Sequence, residues 1–284
     1  MIKQAIIPLA GLGTRLLPLT SVFPKELLPI NGKPGLEYIL DECSDAGITE
    51  IIFIISKKKK LIKKYFYNDT FFKKILKKKK DSRLKHEYNK ILKFKKKIKF
   101  VYQNKPLGTG DAVLKAKKFI TESHFLMLFP DDLIMKKNCS KDMIKIHRKL
   151  NCSVMASMKV KKNNVNRWGI YSVYKKINNL NFLINDVIEK PNINDAPSTN
   201  AVIGRYILPR DIFSKLKSQK KGKGGEIHIT DSIRKLIFEN YKFVGHNFAG
   251  KYLDCGTMNG YIKSSLEISK IWKYVWSAQA MLVL

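Results

Sequence analysis

Acidic residues are scarce in this 284-residue chain: 23 Asp and Glu stand against 55 Lys and Arg, a formal net charge of +32. Arginine is scarcer still, with 7 residues beside 48 lysines. A surface selected for nucleic acid leans on arginine, whose planar fork grips phosphates and bases bidentately. Lysine, isoleucine and asparagine share A/T-rich codons, so the excess reads as compositional drift, and a nucleic-acid-binding function is disfavoured. The four cysteines, Cys43, Cys139, Cys152 and Cys255, show no C-x-x-C spacing and suit a reducing cytoplasm better than a disulfide framework. The five histidines form no metal-ligand pattern, and no Ser-His-Asp or Cys-His nucleophile set is visible. No apolar run approaches the ~20 residues of a membrane span. The start, Met1 to Pro8, lacks a signal peptide's apolar region and cleavage site and reads as a buried strand.

What is present is a core. Apolar residues make up 44% of the chain, enough for one large α/β domain. Gln4 to Leu9, Ile51 to Ile55, Ile98 to Tyr102 and Phe125 to Phe129 are short apolar runs that read as buried strands. Helical spacing at Leu36, Ile39, Leu40 and Cys43, stopped by Gly47, and at Ala112 to Ile120 places helices between them. Strands alternating with helices predict a doubly wound, mostly parallel, Rossmann-like sheet. The second half is richer in strands, at Ser153 to Val160, Gly169 to Val173, Val187 to Glu189 and Val202 to Leu208. Helices follow near Asp211 to Leu216 and Thr230 to Glu239. Lys57 to Lys99 holds 19 lysines in 43 residues and reads as helices or surface, with Lys57 to Lys60 a solvated run. The apolar end, 272–284, is too short to span a bilayer and reads as a packed or oligomer-facing helix.

Six short motifs occur in order. Ala10-Gly-Leu-Gly-Thr-Arg15 follows the first strand; its glycines permit close approach to phosphate, and Arg15 can hold phosphate oxygens with two hydrogen bonds. A plain strand-to-helix turn is the alternative, since neither the dinucleotide fingerprint nor the Walker loop matches. In Phe23-Pro-Lys-Glu-Leu-Leu-Pro29 the prolines restrict the loop, so Lys25 reads as a fixed positive charge, with a solvated surface lysine as the alternative in so lysine-rich a chain. Gln103 with Leu107-Gly-Thr-Gly-Asp111 follows the third strand. Pro130-Asp131-Asp132 follows the fourth, where a carboxylate suits either Mg²⁺ against substrate phosphates or a turn and helix cap. Val187-Ile-Glu-Lys-Pro191 and Leu253-Asp-Cys-Gly256 complete the series; spacing alone does not pair Asp254 with Asp131. Ligands of such sheets sit beyond the carboxyl ends of the strands, where the first, third and fourth of these motifs fall.

The chain resembles the bacterial UTP–glucose-1-phosphate uridylyltransferases of the sugar nucleotidyltransferase family over about residues 3 to 268. The resemblance is closest at Ala10-Gly-Leu-Gly-Thr-Arg-Leu-Leu-Pro18, Pro24-Lys-Glu, Asp45-Ala-Gly-Ile-Thr-Glu-Ile-Ile52, Gly224-Gly-Glu-Ile-His-Ile-Thr-Asp231 and Asp254-Cys-Gly-Thr. With no repeat and no clear linker, the chain reads as a single domain over 1–271, with about 1–135 the nucleotide-binding half and 136–271 the sugar-binding half, followed by the tail. The resemblance implies that Ala10, Gly11, Glu26, Gln103 and Gly108 contact uridine, and that Gly13, Thr14, Arg15 and Lys25 hold the triphosphate. Asp131 and Asp254 would bind Mg²⁺. Asp132, Gly169, Glu189, Lys190 and Val202 would line the site of glucose 1-phosphate, with Arg15, Lys25 and Asp131 carrying catalysis. Glu189 and Lys190 can both reach the sugar only if the chain bends near Pro191, because adjacent strand residues face opposite ways. UTP and glucose 1-phosphate are the expected partners, a homo-oligomer the expected assembly, and nucleic acid and membrane are not expected. A thymidylyl or adenylyl transferase, an inactive paralogue and a basic nucleic-acid-binding protein are the alternatives. The chain departs from the family at Ser21, where Lys is usual, at His228, where Gln is usual, after Ser56, and beyond about Ile271.

Overall fold

In the computed structural model, which describes residues 2–67, 70–78 and 82–280, the chain runs through 13 strands and nine α-helices among those residues. The first half comprises β1 (Gln4–Pro8), β2 (Pro29–Ile30), β3 (Lys33–Pro34), α1 (Gly35–Asp45), β4 (Glu50–Ile55), α2 (Lys60–Tyr67), α3 (Thr70–Lys78), α4 (Ser82–Lys95), β5 (Ile98–Tyr102), α5 (Thr109–Lys115), β6 (His124–Leu128) and β7 (Asp132–Met135). The second comprises α6 (Cys139–Leu150), β8 (Ser153–Lys159), β9 (Gly169–Lys176), β10 (Asn181–Glu189), β11 (Asn200–Pro209), α7 (Ile212–Lys217), α8 (Ile229–Phe238), β12 (Phe243–Asn247), β13 (Lys251–Asp254) and α9 (Met258–Ala280).

Five consecutive apolar residues, Ile51 to Ile55, can all be buried only in a sheet covered on both faces. Ile51, Phe53 and Ile55 point into one core with Leu36, Leu40, Ile62 and Met143 from α1, α2 and α6. Ile52 and Ile54 point into the other with Val113, Phe213 and Ile233 from α5, α7 and α8. The nine-stranded sheet has the order β5-β4-β1-β6-β11-β8-β12-β10-β9. Its first four strands are parallel. Beyond β6 it is mixed: β11 runs antiparallel to β6 and β8, β12 runs parallel to β8, and β10 is antiparallel to both neighbours. β1 has β4 on one side and β6 on the other, so strand order reverses there, and such a switch point opens a crevice at the strands' carboxyl ends.

Several elements differ from the sequence reading. The helix expected over 112–120 begins earlier, at Thr109, ends at Lys115, and gives way to a 3-10 turn at Lys117–Phe119. β10 begins at Asn181, because Phe182 and Ile184 are buried ahead of the polar pair Asn185-Asp186, where the register shifts. The solvated run Lys57 to Lys60 is broken by Lys59, which is buried. The side chains of 272–280 and residues 281–284 lie outside the described residues, so the expected packing of the tail does as well.

Two features position the site. The β7–β13 ribbon, separate from the main sheet, sets Asp254 opposite Asp132, and the Cys255 N–H donates to the Asp131 carbonyl at 2.8 Å. Beneath it Arg205 on β11 is fully buried. Its Nε and Nη2 donate to Glu42 of α1 at 2.8–3.1 Å, and its Nη1 donates to the carbonyls of Gly204 and Phe129 at 2.9 and 3.3 Å. Glu42 also accepts from the Ser140 hydroxyl at 2.6 Å. Removing one member of a buried pair leaves an uncompensated charge. Arg205→Met should therefore cost about 3–5 kcal/mol in denaturant unfolding, with Arg205→Met/Glu42→Leu recovering much of it. A single variant within about 0.5 kcal/mol of wild type, the range of ordinary surface changes, would remove this pair from the stability argument.

Candidate active site

A cleft of about 750 Å³ opens at the switch point, and all sixteen residues singled out above line it. Gly13, at φ 72°, takes a left-handed turn that favours glycine, and the Thr20 hydroxyl fixes it by donating to its carbonyl at 2.8 Å. The following 3-10 turn, Thr14–Leu16, leaves Arg15 exposed, with its guanidinium 3.8 Å from Asp131. Pro24 leads into a second such turn, Lys25–Leu27, from which Lys25 reaches Asp131 Oδ2 at 2.6 Å. Burial would raise the Asp131 carboxyl, but Lys25, hydrogen bonding and Arg15 hold it below the ordinary carboxylate value. Burial opposes charge on Lys25 too, yet Asp131 and Glu26 keep its ammonium pKa raised.

Asp131 Oδ2 and Asp254 Oδ1 lie 2.7 and 3.2 Å from the point where a Cβ on Gly256 would stand, so the two carboxylates converge. Asp254 Oδ1 accepts the Gly256 N–H at 2.8 Å. Asp132 faces otherwise. Its Oδ2 accepts from the Gly204 N–H at 3.0 Å and its Oδ1 from the Tyr252 hydroxyl at 2.6 Å. Burial and the neighbouring Asp131 charge push its pKa up to about 6.

Glu26 is buried and takes both its hydrogen bonds from Lys59 Nζ, at 2.6 and 2.8 Å. Burial lowers the Lys59 pKa, against the pull of Glu26. Gln103 lies just beyond β5, its amide nitrogen donating to Gly108 O and Asp111 Oδ2. On the far wall, Glu189 accepts from the Thr230 hydroxyl at 2.7 Å, and Gly169 and Val202 pack beside it. Lys190 has φ 44°, its backbone N–H donates to Trp168 O at 3.0 Å, and its Nζ lies 3.7 Å from Glu189 Oε1. The bend expected near Pro191 therefore falls at Lys190.

Sequence reasoning missed Arg167, Tyr252 and Lys59. Arg167 lines the cleft, stacks over the Trp168 ring at 4.8 Å and sits 3.7 Å from Asp254. Its rarity in a lysine-rich chain was the available signal. Ser21, in the position where lysine is usual in the resembling family, donates its hydroxyl to Pro18 O at 2.6 Å, and His228 lines the cleft.

The chain matches the nucleotidyl transferase family over residues 4–271 and belongs to it. It is 37% identical over 267 residues to a UTP–glucose-1-phosphate uridylyltransferase of Mycoplasma pneumoniae, covering 93% of this chain and 91% of that one. A UTP–glucose-1-phosphate uridylyltransferase of Staphylococcus saprophyticus is 37% identical over 272 residues, covering 94% and 93%. The fold superposes on UDP-glucose pyrophosphorylase complexed with UDP-glucose with a TM-score of 0.84 and 33% identity, covering 95% and 99% of the two chains. A UTP-bound UDP-glucose pyrophosphorylase of Acinetobacter baumannii gives 0.85 at 32% identity, covering 94% and 93%.

The buried Lys59 separates site lysines from surface lysines. Lys59→Met strands the Glu26 carboxylate and should destabilise the protein by about 3–5 kcal/mol. Lys57→Met and Lys58→Met, on exposed side chains, should stay within about 0.5 kcal/mol. Equal effects across the three in urea titrations would restore the solvated-run reading.

Proposed function

We propose that this chain is a UTP–glucose-1-phosphate uridylyltransferase, forming UDP-glucose and pyrophosphate from UTP and α-D-glucose 1-phosphate. The observation that carries the reading is the convergence of Asp131 and Asp254 at the switch point, with Arg15 and Lys25 on the Asp131 side and Arg167 by Asp254. A phosphate oxygen of the sugar phosphate attacks the α-phosphorus of UTP in line, and the bond to pyrophosphate breaks. No protein nucleophile takes part, so the residues work by positioning and by neutralising charge.

Arg15 and Lys25 hold the triphosphate and offset charge on the leaving pyrophosphate, with Gly13 and Thr14 admitting the phosphates close to the backbone. Ala10, Gly11, Glu26, Gln103 and Gly108 surround the uridine. Lys190 pins the sugar phosphate, while Glu189 accepts hydrogen bonds from glucose hydroxyls between Gly169 and Val202. Asp132 supports this wall. Among the described residues no group of three or more His, Cys, Asp or Glu forms a metal cage. Two converging carboxylates suit Mg²⁺, which takes one or two carboxylates and completes its shell with phosphate and water. Asp131 and Asp254 would hold it, and it would supply positive charge to offset that of the substrate phosphates. A cytoplasmic homo-oligomer completes the reading; no described helix is long and apolar enough to cross a membrane.

Pyrophosphate release from a panel of nucleoside triphosphates and sugar 1-phosphates tests the reading, and UTP with glucose 1-phosphate should stand first. Asp131→Asn should keep the fold and lose about 10²–10³ in rate, the usual loss for one strong transition-state contact. Near-wild-type turnover at saturating Mg²⁺ would take Asp131 out of the mechanism. At the sugar, Lys190→Ala should raise KM for all sugar phosphates alike, because it reads their common phosphate. Glu189→Gln should instead narrow the preference for glucose 1-phosphate over its analogues, and the reverse pattern would exchange the two assignments.

A further inference from the structure

Gln103 is buried at the end of β5, with its backbone N–H fixed to Ile55 O at 2.9 Å. Its side-chain amide nitrogen donates to Gly108 O at 3.1 Å and to Asp111 Oδ2 at 2.8 Å. A backbone carbonyl can only accept, and so can a carboxylate. The chemistry of the partners therefore dictates which way the amide faces: NH₂ inward, oxygen left over. No described residue donates to that oxygen, and Gln103 lines the cleft.

Asp111 is held in turn. It lies in the first turn of α5, where the helix amides favour negative charge, and Lys115 one turn on pairs with its Oδ1 at 3.2 Å. The loop carrying Gly108 is clamped against the chain ahead of α8. Gly110 N–H donates to Ile227 O at 2.7 Å, and Ile227 N–H to Leu107 O at 2.8 Å. Gly108 has φ 98°, and a Cβ there would stand 2.7 Å from Ile227 O, so the close approach of the two segments requires glycine.

We propose that Asp111 sets base specificity by locking the Gln103 amide with its oxygen toward the nucleotide. This rests on the reading that the base of the nucleoside triphosphate lies against Gln103. Uracil and thymine carry an N–H at ring position 3 and donate to that oxygen. Cytosine carries a lone pair at the same position, so two acceptors meet in a buried site, and such a site rejects the wrong partner strongly because neither group is paired. Asp111 touches no substrate; it is a positioning residue.

The test is kcat/KM for UTP, dTTP and CTP with glucose 1-phosphate, in the wild type, Asp111→Leu and Asp111→Asn. Leucine removes the acceptor at similar size. Asparagine can donate as well as accept, so the Gln103 amide can turn over at the expense of the Gly108 bond alone. Both variants should lower the UTP:CTP ratio by about tenfold or more, with the UTP:dTTP ratio unmoved because both bases carry the N–H. Where Asp111→Leu does not fold, Asp111→Asn decides by the same ratio. A wild-type UTP:CTP ratio in a folded variant, or an equal loss on all three nucleotides, would overturn the proposal and leave Asp111 a structural residue. A wild type that turns over no UTP would overturn the uridylyltransferase reading itself, and this inference with it.

Discussion

The Arg205–Glu42 pair is the constraint on which the geometry of the cleft depends. Burying two charges is costly, and the cost is offset only when every donor and lone pair finds a partner. Here Arg205 satisfies Glu42, Gly204 O and Phe129 O together, and Ser140 supplies Glu42 with further hydrogen bonds. These contacts tie α1, α6, the end of β6 and the middle of β11 into one block. Asp131 and Asp132 emerge from it directly. Gly204, whose carbonyl Arg205 holds, donates its own N–H to Asp132. The two neighbouring aspartates then divide their work: Asp132 has both oxygens committed to the framework, while Asp131 is turned toward Lys25, Arg15 and Asp254.

In a chain this basic, the cations at the cleft are held in place by carboxylates. A lysine on the surface is one of many. Lys25, Lys59, Arg167 and Lys190 each stand within 4 Å of an acid at the cleft, on Asp131, Glu26, Asp254 and Glu189 respectively. Pairing fixes the position of each cation and keeps the site from concentrating repulsive charge. A substrate bearing several phosphates then meets cations already aimed, so little reorganisation accompanies its binding.

The strands of the first half were legible because burial on both faces demands continuous apolar runs, which Ile51 to Ile55 and Phe125 to Leu128 supply. The loops after them were legible because glycine and proline recur there at recognisable spacing, and the fold brings those loops to one cleft. Pairing across the fold was not. Nothing local in Leu253-Asp254 announces that β13 will lie against β7, since that contact is decided by tertiary packing. Lys59 was hidden by Lys57, Lys58 and Lys60, identical residues with opposite fates. The arginines carried information that was only partly used: of seven in the chain, Arg15 was singled out from its motif, but Arg167, which also lines the cleft, and the buried Arg205 were not. Where composition drifts toward lysine, a retained arginine points to a site that needs its fork.

The end of β10 shows how backbone conformation completes what spacing leaves open. A continuous strand would send Glu189 and Lys190 to opposite faces of the sheet. The strand stops at Glu189, and Lys190 takes a left-handed conformation at φ 44°. For a residue with a side chain this costs on the order of 1–3 kcal/mol and persists only where the surroundings over-determine it. The hydrogen bond from Lys190 N–H to Trp168 O does part of that, and Pro191, with no N–H to donate, cannot extend the ladder. Both side chains thereby line the same cleft. Strain placed one residue before the proline turns a strand end into a wall with an acceptor and a cation on it.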